Sequence, residues 1–173
     1  FHLSISAERQ GRPLEVALVL GPNFGDQSIK RSDTYTKTPP IGILRAREKT
    51  VRVSAEKVPK EPPQGPIAWA GVEDNYFALV AIPKSPPASA SFSTHERKET
   101  IEDEEITRRF IALSLPVSGP QEYTVFAGPK DPKVLEALDA QLGGVALEEV
   151  INYGFFSSIV KPLITWVLLP ALQ

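Results

Sequence analysis

The chain has 173 residues, and its 19 lysines and arginines nearly balance its 21 aspartates and glutamates. This length suffices for one domain with a buried core, and the lack of a basic excess argues against nucleic-acid binding. No cysteine is present, which excludes disulfides, zinc–thiolate sites and cysteine nucleophiles.

The first third of the chain predicts short antiparallel strands. Phe1, Leu3 and Ile5 alternate with polar residues, which is the pattern of a half-buried strand. A second alternating run covers residues 14–20, and the turn residues at 11–13 predict that the two runs form a hairpin. Further strands are predicted at 41–46 and 50–55. The 17 prolines are about twice the usual share of ~5% and suit short strands joined by turns.

The middle of the chain contains its most apolar strands. Residues 67–72 form one apolar run, and residues 75–82 (NYFALVAI) form another that is apolar on both faces. This pattern predicts a central strand that is covered above and below. The aromatic residues here, Trp69, Tyr76 and Phe77, are interpreted as core residues. A tryptophan near a strand end can also line a sugar-binding cleft.

An acidic segment follows at residues 100–105 (TIEDEE). Clustered carboxylates can bind calcium or magnesium, but their spacing here is not that of a calcium loop. We therefore interpret the segment as a solvated turn that leads into a strand at 106–115. A last strand is predicted at 121–127.

Helices come last. Asp131-Pro132 is a strong helix start, and Gly143-Gly144 provides the stop. Apolar residues at helical spacing give this helix one face that should dock on the sheet. Because strands precede helices without alternating with them, the fold class is mainly β, an antiparallel sandwich with two C-terminal helices.

The final segment, 155–173, is almost wholly apolar and carries one charge, Lys161. Drawn as a helix, it places Ser158, Lys161 and Thr165 on one polar stripe. Such a helix must pack in a core, lie on a membrane or span it. Spanning requires ~20 predominantly apolar residues, and the two prolines inside this segment favour a position on the membrane surface.

No motif identifies a catalytic residue. His2 and His95 have no paired carboxylate motif, and the loop at 21–26 lacks the Gly-Lys-Ser/Thr ending of a phosphate-binding loop. We therefore predict that the chain is not an enzyme and binds no cofactor or metal. The chain also begins without methionine, so we expect it to be a piece of a longer protein.

Several segments, in this order and spacing, resemble the large periplasmic domain of the YidC family of membrane protein insertases. The matching segments are Leu20–Gln27, Trp69–Phe77 with Ala81-Ile82-Pro83, Phe126–Lys130 with the helix 132–142, and Val150–Phe156 with Lys161-Pro162-Leu163. The chain is shorter than that domain in typical Gram-negative members. By comparison with the family, we expect the first transmembrane helix and the early part of the domain to lie outside this sequence.

The resemblance implies a β-super-sandwich similar to galactose-mutarotase-like folds. It divides the chain into a sandwich (1–128), a docking helix with its connector (129–154) and an amphipathic interfacial helix (155–173) that leads to an absent transmembrane core. The residues expected at the membrane interface are Phe155, Phe156, Ile159, Val160, Leu163, Trp166, Val167 and Leu168.

The same resemblance implies a function at the periplasmic side of the bacterial inner membrane. The insertase assists insertion and folding of membrane proteins, alone or with the Sec translocon. The implied partners are the lipid bilayer surface, nascent membrane proteins and Sec components, without nucleic acid, nucleotide or metal. Two alternatives stay open: a carbohydrate-binding or mutarotase-like module, and a β-sandwich adhesion domain.

Overall fold

A computed structural model describes residues 1–22, 40–61, 63–101 and 104–152. The chain forms two compact units, Phe1–Asp131 and Pro132–Gln173. The strands described in the first unit are β1 (His2–Ile5), β2 (Glu8–Arg9), β3 (Arg12–Pro13), β4 (Glu15–Leu20), β5 (Ile41–Ala46), β6 (Lys49–Ser54), β7 (Ile67–Glu73), β8 (Phe77–Pro83), β9 (Ser91–Ile101), β10 (Glu104–Ser118) and β11 (Gln121–Pro129).

The strands of the first unit form a β-sandwich. One sheet has six strands in the order β1-β11-β8-β7-β5-β6, and the other has three in the order β4-β10-β9. All neighbouring strands in both sheets are antiparallel. The predicted fold class, mainly β and an antiparallel sandwich, is therefore confirmed, while its likeness to galactose mutarotases stays a prediction.

The core lies between the two sheets. Leu44, Ala70 and Ala81 of the larger sheet pack with Leu113 and Leu115 of the smaller sheet, and all five are fully buried. Burying a large apolar side chain contributes roughly 1.5–3 kcal/mol, so this layer supplies the main force that joins the sheets.

Gly42 in the larger sheet lies directly against an aromatic ring from the smaller sheet. A Cβ atom added to Gly42 on β5 would collide with the ring of Phe92 on β9. Phe92 packs against the core cluster, and the missing side chain of Gly42 leaves the space that its ring occupies. Close packing of this kind makes even one added methyl group disruptive.

The larger sheet is buried on its other face as well. Ile43, Trp69 and Val80 have no exposed surface, and strand pairing places them on the face opposite the sandwich core. Strand β8 pairs with β7 on one side and with β11 on the other. The prediction of a central strand with two covered faces is therefore confirmed.

The predicted hairpin between the first two alternating runs is wrong. β1 pairs with β11 in the larger sheet, whereas β4 pairs with β10 in the smaller one. The short β2–β3 ribbon connects them in sequence. Both runs alternate because each presents one apolar face to the same core, from opposite sides. Alternation alone does not tell which sheet a strand joins.

The sequence interpretation also missed strand β9 and the full length of β10. These strands pair from Ser91↔Ser114 to Ile101↔Glu104, whereas β4 pairs with β10 only between Leu113 and Ser118. The outer part of this hairpin carries exposed ion pairs, Arg109 with Glu96 and Lys98 with Glu105. Because charged side chains occupy β9 instead of an apolar alternation, the pattern used to predict strands is absent there.

The second unit begins with helix α1 (Pro132–Gln141), as the Asp131-Pro132 start predicts. Gly143 and Gly144 both adopt positive φ, and the amide of Gly144 donates to the carbonyl of Asp139. A short 3₁₀ helix follows at Leu147–Val150, whose first amide donates to the Asp139 carboxylate. The predicted helix at 155–173 lies outside the described residues.

Tyr123 places a hydroxyl in the sandwich core. The side chain is 2% exposed, and its hydroxyl has no hydrogen-bond partner among the described residues. Burial raises the pKa of the Tyr123 phenol above its ordinary value of 10.0 because the phenolate would be poorly solvated. The ring stabilises the core, whereas the hydroxyl opposes it.

We expect Tyr123→Phe to leave stability unchanged or to raise it by up to ~1 kcal/mol, since it removes a buried hydroxyl. Because the pKa of Tyr123 is higher in the folded protein, the free energy of unfolding is unaffected below the unfolded pKa of 10.0. It falls as the pH rises from there through the folded pKa. Wild type should therefore lose stability relative to Tyr123→Phe only in alkaline solution. Urea titrations of both proteins from neutral to alkaline pH measure this, and a constant difference would contradict it.

Candidate interaction surface

The eight residues predicted to contact the membrane, all between 155 and 168, lie outside the described residues. Their role stays a prediction. Within the described parts of the chain, no helix is long and apolar enough to cross a membrane.

The turn between β7 and β8 exposes two aromatic rings. Tyr76 is 69% exposed and Phe77 is 50% exposed, so their prediction as core residues is wrong. They follow Asp74-Asn75, a pair of residue types that favours turns. In the sequence, the Asp74-Asn75 pair was therefore the signal that Tyr76 and Phe77 lie at a turn where a strand begins, and not in the middle of a strand.

The Asp74 side chain holds this turn closed. Its Oδ1 atom accepts hydrogen bonds from the amides of Tyr76 at 2.8 Å and Phe77 at 2.7 Å. The amide of Asp74 donates to the carbonyl of Phe77 at 3.0 Å. Bonds from a carboxylate to nearby amides are the usual way in which aspartate fixes a turn.

Lys130 braces the same turn from the end of β11. Its amide donates to the carbonyl of Tyr76 at 2.8 Å. Its Nζ donates to Oε2 of Glu73 at 3.1 Å, and the lysine side chain is only 11% exposed. Lys130 therefore binds the turn through its backbone amide and strand β7 through its ammonium group.

Glu73 is the centre of this cluster. It is 2% exposed and is the one charged residue buried among those the structure describes. Its Oε1 accepts from Nε of Arg52 on β6 at 3.1 Å, while its Oε2 accepts from Lys130. A buried carboxylate requires such partners, because its desolvation is otherwise prohibitive. The two cations thus offset the cost of burying Glu73 beside the turn.

No three histidine, aspartate or glutamate side chains in the described ranges are grouped so that they could hold a metal ion. His2 and His95 are exposed, and the contact of His95 Nε2 with Ser93 Oγ at 3.4 Å lies on the surface. Trp69 is fully buried, so its ring cannot stack on a sugar.

The fold brings together two of the family-like segments. Residues 69–77 and 126–130 meet where the ends of β8 and β11 pair, at Phe77↔Pro129, and where Lys130 binds Glu73. The remaining segments lie partly outside the described residues. The shared location of these two segments identifies the turn and its charge cluster, Arg52, Glu73, Asp74 and Lys130, as the candidate surface.

Comparison with known proteins shows the family to which the chain belongs. The family model of the YidC periplasmic domain matches residues 18–166. A membrane protein insertase YidC from an Anaeromyxobacter species (strain Fw109-5) is 28% identical over 164 residues, covering 86% of this chain and 27% of that protein. The same-named protein of Geotalea daltonii is 30% identical over 126 residues, covering 70% of this chain and 22% of that protein. The chain therefore spans about a quarter of the length of these relatives.

Glu73→Gln should destabilise the sandwich strongly. Removing one member of a buried ion pair leaves the others uncompensated and costs about 3 kcal/mol or more. Urea denaturation should show a lower midpoint with an unchanged slope. Glu96→Gln is the matched control, since Glu96 also accepts from an arginine Nε but is exposed. Equal midpoints for the two variants would mean that the buried cluster does not stabilise the fold.

Proposed function

Because the chain belongs to the YidC periplasmic domain family, we propose that it is a non-catalytic periplasmic module of a membrane protein insertase. The match over residues 18–166 is the observation that carries this proposal. The relatives named above as membrane protein insertases support it.

The proposed module consists of a sandwich (1–128), a connector with helix α1 (129–154) and an interfacial helix (155–173). The last helix lies on the periplasmic surface of the inner membrane and leads toward the membrane-embedded part of the insertase. Its apolar residues, Trp166 among them, enter the lipid interface, and Ser158, Lys161 and Thr165 face water. Trp166, a residue type enriched at membrane interfaces, and the basic residue Lys161 on the polar stripe support this orientation.

The partners of the whole insertase are proposed on the same basis. Nascent membrane proteins are its clients, and it works alone or with the Sec translocon. The sandwich positions the insertase at the membrane and offers partner surface, without nucleotide or metal. A sugar-binding function is less well supported, because Trp69, the residue that suggested it, is buried.

A complementation experiment tests this function. Cells depleted of the insertase receive the full-length protein, and insertion of a membrane protein is followed by protease protection. We expect Trp166→Asp to impair insertion, because a carboxylate on the lipid-facing side opposes membrane contact. Thr165→Asp adds the same charge on the polar stripe, and cells that carry this variant should insert the membrane protein normally.

Two outcomes would contradict the proposal. Equal activity of the two aspartate variants would show that the segment does not lie on the membrane as proposed. Deletion of residues 1–150 should reduce insertion of the membrane protein. Wholly unchanged insertion would show that the sandwich does not contribute to the function.

A further inference from the structure

The aromatic turn stands at the place where the chain leaves the sandwich. Tyr76 is hydrogen-bonded to Lys130, and Asp131 is the last residue of the first unit. From there the chain continues through α1 toward the apolar segment 155–173. The two exposed rings therefore sit at the end of the sandwich from which the membrane-directed part of the chain continues.

We propose that Tyr76 and Phe77 form a second membrane contact, with their rings inserted among lipid headgroups. This inference rests on the proposed function, in which the following segment lies on the bilayer. Tyrosine and phenylalanine suit this position, because their apolar rings leave water, and the tyrosine hydroxyl stays hydrated at the interface.

The hydrogen bonds of the turn favour lipid as its partner. The amides of Asp74, Tyr76 and Phe77 all donate within the turn, and the carbonyls of Tyr76 and Phe77 both accept hydrogen bonds. Insertion into a less polar layer would therefore leave none of these amides and carbonyls without a hydrogen-bond partner.

The charges near the turn are also compatible with lipid. The Asp74 carboxylate is bonded to backbone amides, and the Glu73 carboxylate is buried between Arg52 and Lys130. The charge of Glu73 is therefore balanced by two cations, and one oxygen of Asp74 is occupied by the amides of the turn.

The size of the apolar patch argues against a stable protein interface. Such an interface buries about 800 Å² on each partner. The other large exposed apolar side chains described in the sandwich are Phe1, Leu14 and Val19, and none of them belongs to the turn between β7 and β8. Two rings on one narrow turn suit shallow insertion in a membrane interface better than a broad protein contact.

The absence of cysteine permits a direct test with the full 173-residue chain. Tyr76→Cys is labelled with an environment-sensitive fluorophore and mixed with vesicles of phosphatidylethanolamine and phosphatidylglycerol. We expect its emission to rise about twofold or more and to be quenched by spin-labelled lipids, because the interface is less polar than water. The matched control is Thr107→Cys, an exposed position on β10. It should remain unquenched.

A label at Leu163→Cys, one of the positions expected on the lipid-facing side of the interfacial helix, separates this inference from the proposed function. Quenching at 163 without quenching at 76 would overturn the second contact and leave the interfacial segment standing. Quenching at neither position would overturn both. A label at 76 that is already shielded from water before vesicles are added would show that protein covers the turn, and this too would overturn the proposal.

An unlabelled comparison provides a second readout. The double variant Tyr76→Ser/Phe77→Ser should bind the same vesicles about tenfold more weakly in flotation. The reason is that it lacks the two rings whose transfer out of water favours binding. Val19→Ser removes a side chain of similar exposure on β4 and should change binding less than about twofold. Equal binding by the double variant and wild type would contradict membrane insertion of the turn.

Discussion

The buried carboxylate of Glu73 is the constraint on which the end of the sandwich depends. Placing a charge inside a sheet is unfavourable unless partners neutralise it, and Arg52 and Lys130 do so from two other parts of the chain. The same lysine binds the carbonyl of Tyr76 through its backbone. One electrostatic cluster therefore joins β6, β7 and the end of β11, and it fixes a turn that carries two exposed rings.

Most strands could be predicted from the sequence, but their arrangement could not. Alternating or continuous apolar residues mark β5, β7, β8 and β11, and Asp131-Pro132 marks the start of α1. Strand β9 escaped prediction because it carries charges where a strand pattern would carry apolar residues. The sheet that each of the first strands joins depends on long-range pairing, which alternation does not encode.

The candidate surface was the least predictable part of the molecule. Glu73 is separated by 21 positions from Arg52 and by 57 from Lys130, so no local spacing indicates that they meet. Tyr76 and Phe77 belong to an apolar run, yet Asp74 turns the chain just before them. Family resemblance supplied a functional hypothesis from the order of segments, whereas the physical role of each residue required the folded structure.

Amide hydrogen exchange tests most directly whether the Glu73 cluster holds the aromatic turn. Lys130→Met removes the charge, and Lys98→Met is the control from an exposed ion pair. We predict at least about tenfold faster exchange at Tyr76 and Phe77 in Lys130→Met alone, since ~1.4 kcal/mol of local stability corresponds to that factor. Unchanged exchange at these amides would contradict the account, as would the same increase in every strand of the sandwich.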